Sequence, residues 1–120
     1  MTSAQDYGKR GEEIAMRFLV GLGYEIRGRN VRLMRDEIDI VAFDVSRQMM
    51  VFVEVKTRRR SSETYPIRTS VDRRKKSAMK RAVARWVIAN EYDEAGRIDL
   101  LCVEGERVVE HIMDIGAKLY

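Results

Sequence analysis

Residues 49–57 read MMVFVEVKT, and the fold follows from how that stretch is divided between two faces. Side chains of a strand alternate, so Val51, Val53 and Val55 share one face while Phe52, Glu54 and Lys56 share the other. A run this apolar on both faces belongs to a strand covered from both sides, as in a sheet with helices packed above and below it. Glu54 sits inside that run. An unpaired buried carboxylate is strongly unfavourable, so Glu54 requires a cation or a metal ion. Lys56 lies one side-chain step further along the same face.

Working outward, residues 37–43 read EIDIVAF, a second apolar strand interrupted by Asp39. Alternation places Asp39 on the face of Glu37 and Val41. The intervening DVSRQ is short and polar and suits a hairpin connection. If the two strands pair, Asp39 and Glu54 converge, with Lys56 beside them. Two carboxylates and an ammonium at one place on a sheet form a hard-cation site, and Mg²⁺ is held by one or two such carboxylates. A structural Glu54–Lys56 ion pair is the competing reading, but it leaves unexplained why a matching apolar run also carries an acid.

The rest of the chain supplies the frame. A helix is expected over 6–21, with an apolar stripe of Ile14, Ala15, Phe18 and Leu22 and with Gly21 and Gly23 at its end. On that helix Glu12 and Glu13 read by themselves as solvated acids, and Glu12 meets the site only if its turn packs over Asp39. Residues 24–33 form a further strand. A second helix is expected over 70–90, with Val71, Ala78, Met79, Ala82, Val83, Trp86 and Val87 as its stripe. Strands 97–103 and 107–113 flank a tight turn at Gly105-Glu106. The result is a single α/β domain over 1–120, a mixed β-sheet flanked by helices in the order α-β-β-β-α-β-β. Trp86, Cys102 and His111 fall at core or structural positions of this pattern.

Charge is distributed unevenly. The 120 residues carry 23 Lys+Arg and 19 Asp+Glu, a formal net charge of +4. Residues 56–85 alone hold 12 basic and 2 acidic groups, whereas 1–55 and 86–120 are each net acidic. A basic segment of this density suits a polyanion, and binding through it should weaken steeply with salt. No run approaches the ~18 apolar residues of a membrane span. One cysteine and one histidine exclude an internal disulfide and a cysteine zinc cluster. The opening residues, MTSAQDYGKRGEE, lack the apolar stretch of a secretory signal, so a cytoplasmic location is expected.

Asp39 followed fifteen residues later by Glu54-Val55-Lys56 resembles the PD-(D/E)xK nuclease superfamily, the restriction-endonuclease-like and Holliday-junction-resolvase-like enzymes. More closely, the chain resembles the YraN family of small bacterial proteins. The matching text is Gly8-Lys9-Arg10-Gly11-Glu12, Gly23-Tyr24, Arg29-Asn30, Glu37-Ile38-Asp39, Phe52 through Arg58, Arg73-Arg74-Lys75 and Arg97-Ile98-Asp99. Asp36 departs from that pattern, which has glycine before Glu-Ile-Asp.

The resemblance implies a restriction-endonuclease-like fold with Glu12, Asp39, Glu54 and Lys56 as catalytic residues. Asp39, Glu54 and the backbone carbonyl of Val55 would hold Mg²⁺ or Mn²⁺, and Lys75 would turn toward them. The implied activity is metal-dependent endonucleolytic hydrolysis of phosphodiester bonds in structured or branched DNA. Arg58, Arg59, Arg60, Arg73, Arg74, Lys75, Lys76 and Lys80 would grip phosphates, which positions nucleic acid without reading its sequence. A branched substrate with two-fold symmetry would suit a homodimer. The alternative is a non-catalytic nucleic-acid-binding module of the same fold, told apart by metal dependence at Asp39 and Glu54.

Overall fold

The computed structural model describes residues 4–58 and 73–115. Within them β1 (Tyr24–Leu33), β2 (Asp36–Asp44), β3 (Met49–Arg58), β4 (Gly96–Glu104) and β5 (Arg107–Ile112) form one sheet in sequence order. All neighbours are antiparallel except β3 and β4. Parallel neighbours need a crossover, and α2 (Arg73–Ala89) lies on it. The other helix, α1 (Ala4–Gly21), precedes the sheet. The mixed sheet and the element order agree with the sequence reading. No described helix is long and apolar enough to cross a membrane.

The central strand explains the two-layer covering. Val51, Phe52 and Val53 are all 2% exposed or less. Val51 and Val53 pack with Ile14, Ala15 and Leu19 of α1. Phe52 packs with Met79 and Ala82 of α2 and meets the edge of Trp86 at 5.1 Å between ring centroids. Burying a side chain such as Phe52 contributes about 1.5–3 kcal/mol, so two helices on two faces supply most of the cohesion.

The end of the first helix corrects one detail. Gly23, with φ of +91°, is the left-handed residue that closes α1, and its N–H donates to the Val20 carbonyl. Leu22 therefore lies beyond the helix and is exposed, and Leu19 takes the core position expected of it. The second helix is described from Arg73 to Ala89, and the expected start at residue 70 and Val71 fall outside the described residues.

The end of the sheet where β1 starts is held by a buried ionic network. Arg97 donates to Asp99 at 2.9 and 3.2 Å, to Asp44 at 3.0 Å and to the Tyr24 hydroxyl at 2.6 Å. Asp99 is fully buried and also meets His111 Nε2 at 2.8 Å and the Asp114 N–H at 2.9 Å. One guanidinium thus ties β1, β2 and β4, and Asp99 extends the tie to β5. Sequence patterning left this unseen and read His111 merely as structural. Hydrogen bonds from Arg97, Ser46 and Arg47 hold the Asp44 carboxyl down at about 2 against the cost of burial.

Removing one partner of such a set strands the others without compensation. Arg97→Met should therefore cost about 3–5 kcal/mol of stability, whereas Arg107→Met, on the exposed end of β5, should change it little. Urea denaturation of the two variants at neutral pH checks this.

Candidate metal and phosphate site

β2 and β3 pair from Asp44↔Met49 to Ile40↔Val53 and no further, while β1–β2 pairing continues to Leu33↔Asp36. Where the β2–β3 ladder would continue, the Val55 N–H donates instead to Asp39 Oδ2 at 2.8 Å. A side-chain carboxylate has replaced a backbone carbonyl as acceptor, and the two strands fork. The alternation of β2 breaks at the same point. Ile38 and Val41 lie in the core under α2, whereas Ile40 lies in the core under α1. The expectation that Glu37, Asp39 and Val41 share one face by regular alternation is corrected accordingly.

Three elements bring acids to the fork. Carboxylate oxygens of Glu12, Glu37 and Asp39 all lie within 4.8 Å of one another. Glu12 reaches it because α1 crosses β3 closely. A Cβ on Gly11 would stand 2.1 Å from Thr57 Oγ1, so only glycine allows that approach. Asn30 of β1 sits across from Asp39, between the pairs Arg29↔Ile40 and Val31↔Ile38, with φ of +49°. Asparagine tolerates that left-handed conformation. With its amide turned so that NH₂ faces the acids, Asn30 donates to Glu12 Oε1 at 2.7 Å and Glu37 Oε1 at 2.9 Å. The orientation follows from the bonding network.

Glu54 approaches from β3. Its side chain is buried, and its cation is Lys75 of α2, with Nζ 2.6 Å from Oε1. The ion partner is therefore not Lys56, which stays half-buried on β3. Burial and then the Asp39 charge push the Glu54 carboxyl up to about 7, against the pull of Lys75. Burial and the neighbouring Asp39 and Glu37 raise Glu12 as well. A cavity of about 340 Å³ opens onto these groups, lined by Arg35, Asp36, Glu37, Asp39, Glu54 and Lys75.

The remaining expected residues divide. Arg74 is exposed near the start of α2, and Lys76 and Arg58 are half-buried. Lys80 lines a separate cavity of about 470 Å³ that includes Phe52 and Tyr92. Arg59 and Arg60 lie outside the described residues, as does the side chain of Arg73. Asp36 receives Arg81 at 2.8 and 2.9 Å and Arg85 at 2.9 Å, which occupies it as an ion-pair partner of α2. Glu37 and Asn30 are the members that motif reading did not assign to the site. Glu37 was legible as an acid two residues before Asp39, and Asn30 stood in the matching Arg29-Asn30 pair with no role attached to it.

The donor set suits a hard cation. Carboxylate oxygens are the ligands that Mg²⁺ and Mn²⁺ favour, and three of them lie here within 4.8 Å of one another. Glu12, Glu37 and Asp39 would hold such an ion, and Glu54 would join them on losing its proton.

A family model described as Uncharacterised protein family UPF0102 matches residues 11–103, a span that contains all of these acids, Asn30 and Lys75. The chain is 38% identical over 112 residues to a UPF0102 protein of Pelobacter propionicus, covering 89% of this chain and 79% of that protein. It is 40% identical over 108 residues to one of Desulfosudis oleivorans, covering 88% and 84%. A Clavibacter michiganensis relative is 40% identical over 105 residues, covering 86% of each.

The Glu54 shift carries a sign. Its folded carboxyl binds a proton more tightly than in the unfolded chain, so its contribution to stability falls as pH rises from about 4.5 to about 7. Glu54→Gln should remove that slope. Urea denaturation between pH 5 and pH 8 should show the variant gaining on the wild type as pH rises; parallel profiles would contradict the assignment.

Proposed function

Because this chain belongs to the UPF0102 family, and because the matched span contains the whole acid cluster, we propose that it is a metal-dependent endonuclease. Its substrates would be phosphodiester bonds in structured or branched DNA, and its cofactor Mg²⁺ or Mn²⁺. One observation carries the reading. Glu37 and Asp39 of β2 and Glu54 of β3 face a cavity whose wall also bears Arg35 and Lys75, and a carboxylate oxygen of Glu12 on α1 lies within 4.8 Å of those of Glu37 and Asp39. An acid cluster repels a phosphodiester unless a cation lies between them, and basic side chains on the same wall suit the phosphate that would follow.

A divalent ion bound there would lower the pKa of a coordinated water and offset charge on the reacting phosphate. The chain's own residues do the rest. Asn30 holds Glu12 and Glu37 at a fixed separation, and the Val55 N–H fixes Asp39. Lys75 holds Glu54 in the cavity wall. Lys56, one side-chain step beyond Glu54, would donate from Nζ to the negative charge that develops at the phosphate. Arg74 and Lys76 of α2 would contact flanking phosphates, together with Arg58, Arg59, Arg60, Arg73 and Lys80, giving affinity that falls with salt.

The second reading, a nucleic-acid-binding module without catalysis, is favoured by the Glu54–Lys75 pair, which satisfies Glu54 with no metal. Cleavage of labelled four-way junction, duplex and single-stranded DNA in Mg²⁺, Mn²⁺ or EDTA separates the two. The expected result is metal-dependent cutting that Asp39→Asn and Lys56→Ala each reduce by about 100-fold or more. Mn²⁺ at 100 times its dissociation constant should also stabilise the wild type by about 2.7 kcal/mol and leave Asp39→Asn unmoved. Salt-sensitive binding without cutting, and without a metal-induced shift in melting, would establish the module instead.

A further inference from the structure

The turn joining β1 to β2 carries two unfavourable choices at one residue. Leu33 pairs with Asp36, so Met34 and Arg35 form a two-residue hairpin loop. Met34 has φ of +59° and Arg35 is not in the positive-φ region, the pattern of a type II′ turn, whose first central position normally goes to glycine. A bulky side chain there strains the backbone. Met34 is also 76% exposed, so its thioether chain gains almost nothing from burial.

The mounting of this turn is rigid. Asp36, at the base of the loop, is buried and takes three hydrogen bonds from Arg81 and Arg85 of α2. That clamp accounts for an acid where the resembling family has glycine. It fixes the loop at the rim of the acid cavity, which Arg35 and Asp36 themselves line. Arg35 and Arg32, the latter 3.5 Å from Glu37 in an exposed ion pair, flank Met34 as solvent-facing cations. A strained, solvent-facing apolar tip between two arginines, clamped beside an acid cavity, has the form of a tool rather than a packing element.

We propose that Met34 is a wedge that enters the base stack of DNA whose backbone lies in the acid cavity. Arg32 and Arg35 hold the phosphates on either side, and the inserted thioether separates neighbouring bases. Apolar side chains, methionine among them, unstack base steps in this way in DNA-bending proteins. Unstacking costs least where stacking is already interrupted, so the wedge favours branch points and mismatches over continuous duplex. The inference rests on the DNA-binding half of the function proposed above and extends it to how a branched substrate is chosen.

The test needs no cleavage. A four-way junction with 2-aminopurine at the branch point, and a matched duplex, are titrated with protein at low salt in Ca²⁺, a hard cation that sits between the acid cluster and the phosphate. Fluorescence reports unstacking and anisotropy reports binding. The wild type should raise junction fluorescence by about twofold or more while affecting the duplex less. Met34→Gly, which suits the positive φ and should melt no lower than the wild type, should abolish the rise while weakening affinity by less than about threefold. Met34→Asn, also tolerant of that conformation, should behave alike. Bound junction with no fluorescence rise, or an equal rise in the variants, overturns the wedge and leaves DNA binding standing. No binding by the wild type overturns both the DNA reading and the wedge.

Discussion

The hydrogen bond from the Val55 N–H to the Asp39 carboxylate is the constraint on which the candidate site depends. A continuous β2–β3 ladder would have satisfied every backbone group and left no room between the strands. By accepting from β3 with a side chain, Asp39 satisfies the half-buried N–H while ending the ladder. The fork then exposes a place where a helix on one face, through Glu12, and a helix on the other, through Lys75, both reach the same strands.

Opening a sheet at one end requires that the other end be held. The Arg97 network does this, because one planar guanidinium satisfies two buried carboxylates and a tyrosine hydroxyl on three strands. The contrast between the two ends is electrostatic. Around Arg97 the charges compensate each other, and Asp44 is held ionised. Around Asp39 acids outnumber bases, and Glu54 is driven toward its protonated form. Stability is concentrated where charges are matched, and chemistry is expected where they are not.

Neighbouring residues of β2 divide these duties. Asp36 looks like a fourth or fifth candidate ligand on paper, being one residue before Glu37. In the folded chain its carboxylate is taken up by Arg81 and Arg85, so it anchors a hairpin instead. Glu37, one residue on, faces Asn30 and Glu12. Adjacent acids on one strand point to opposite faces, and which helix covers each face decides what each acid does.

The sequence alone determined the order of elements, the double covering of β3 and the convergence of Asp39 with Glu54. The first two follow from apolar runs and strand alternation, and the third from two such runs joined by a short polar turn, all of them local features. Tertiary structure alone decided the rest. Lys75 is Glu54's partner because α2 packs over the β3 face that bears Glu54, a relation between residues twenty-one positions apart. Glu12 arrives because Gly11 lets α1 approach Thr57, and Asn30 because β1 lies beside β2. The Arg97 network joins residues up to 73 positions apart. Periodicity tells which side chains share a face, but charge pairing is settled by which faces meet, and that is fixed only when the helices have packed.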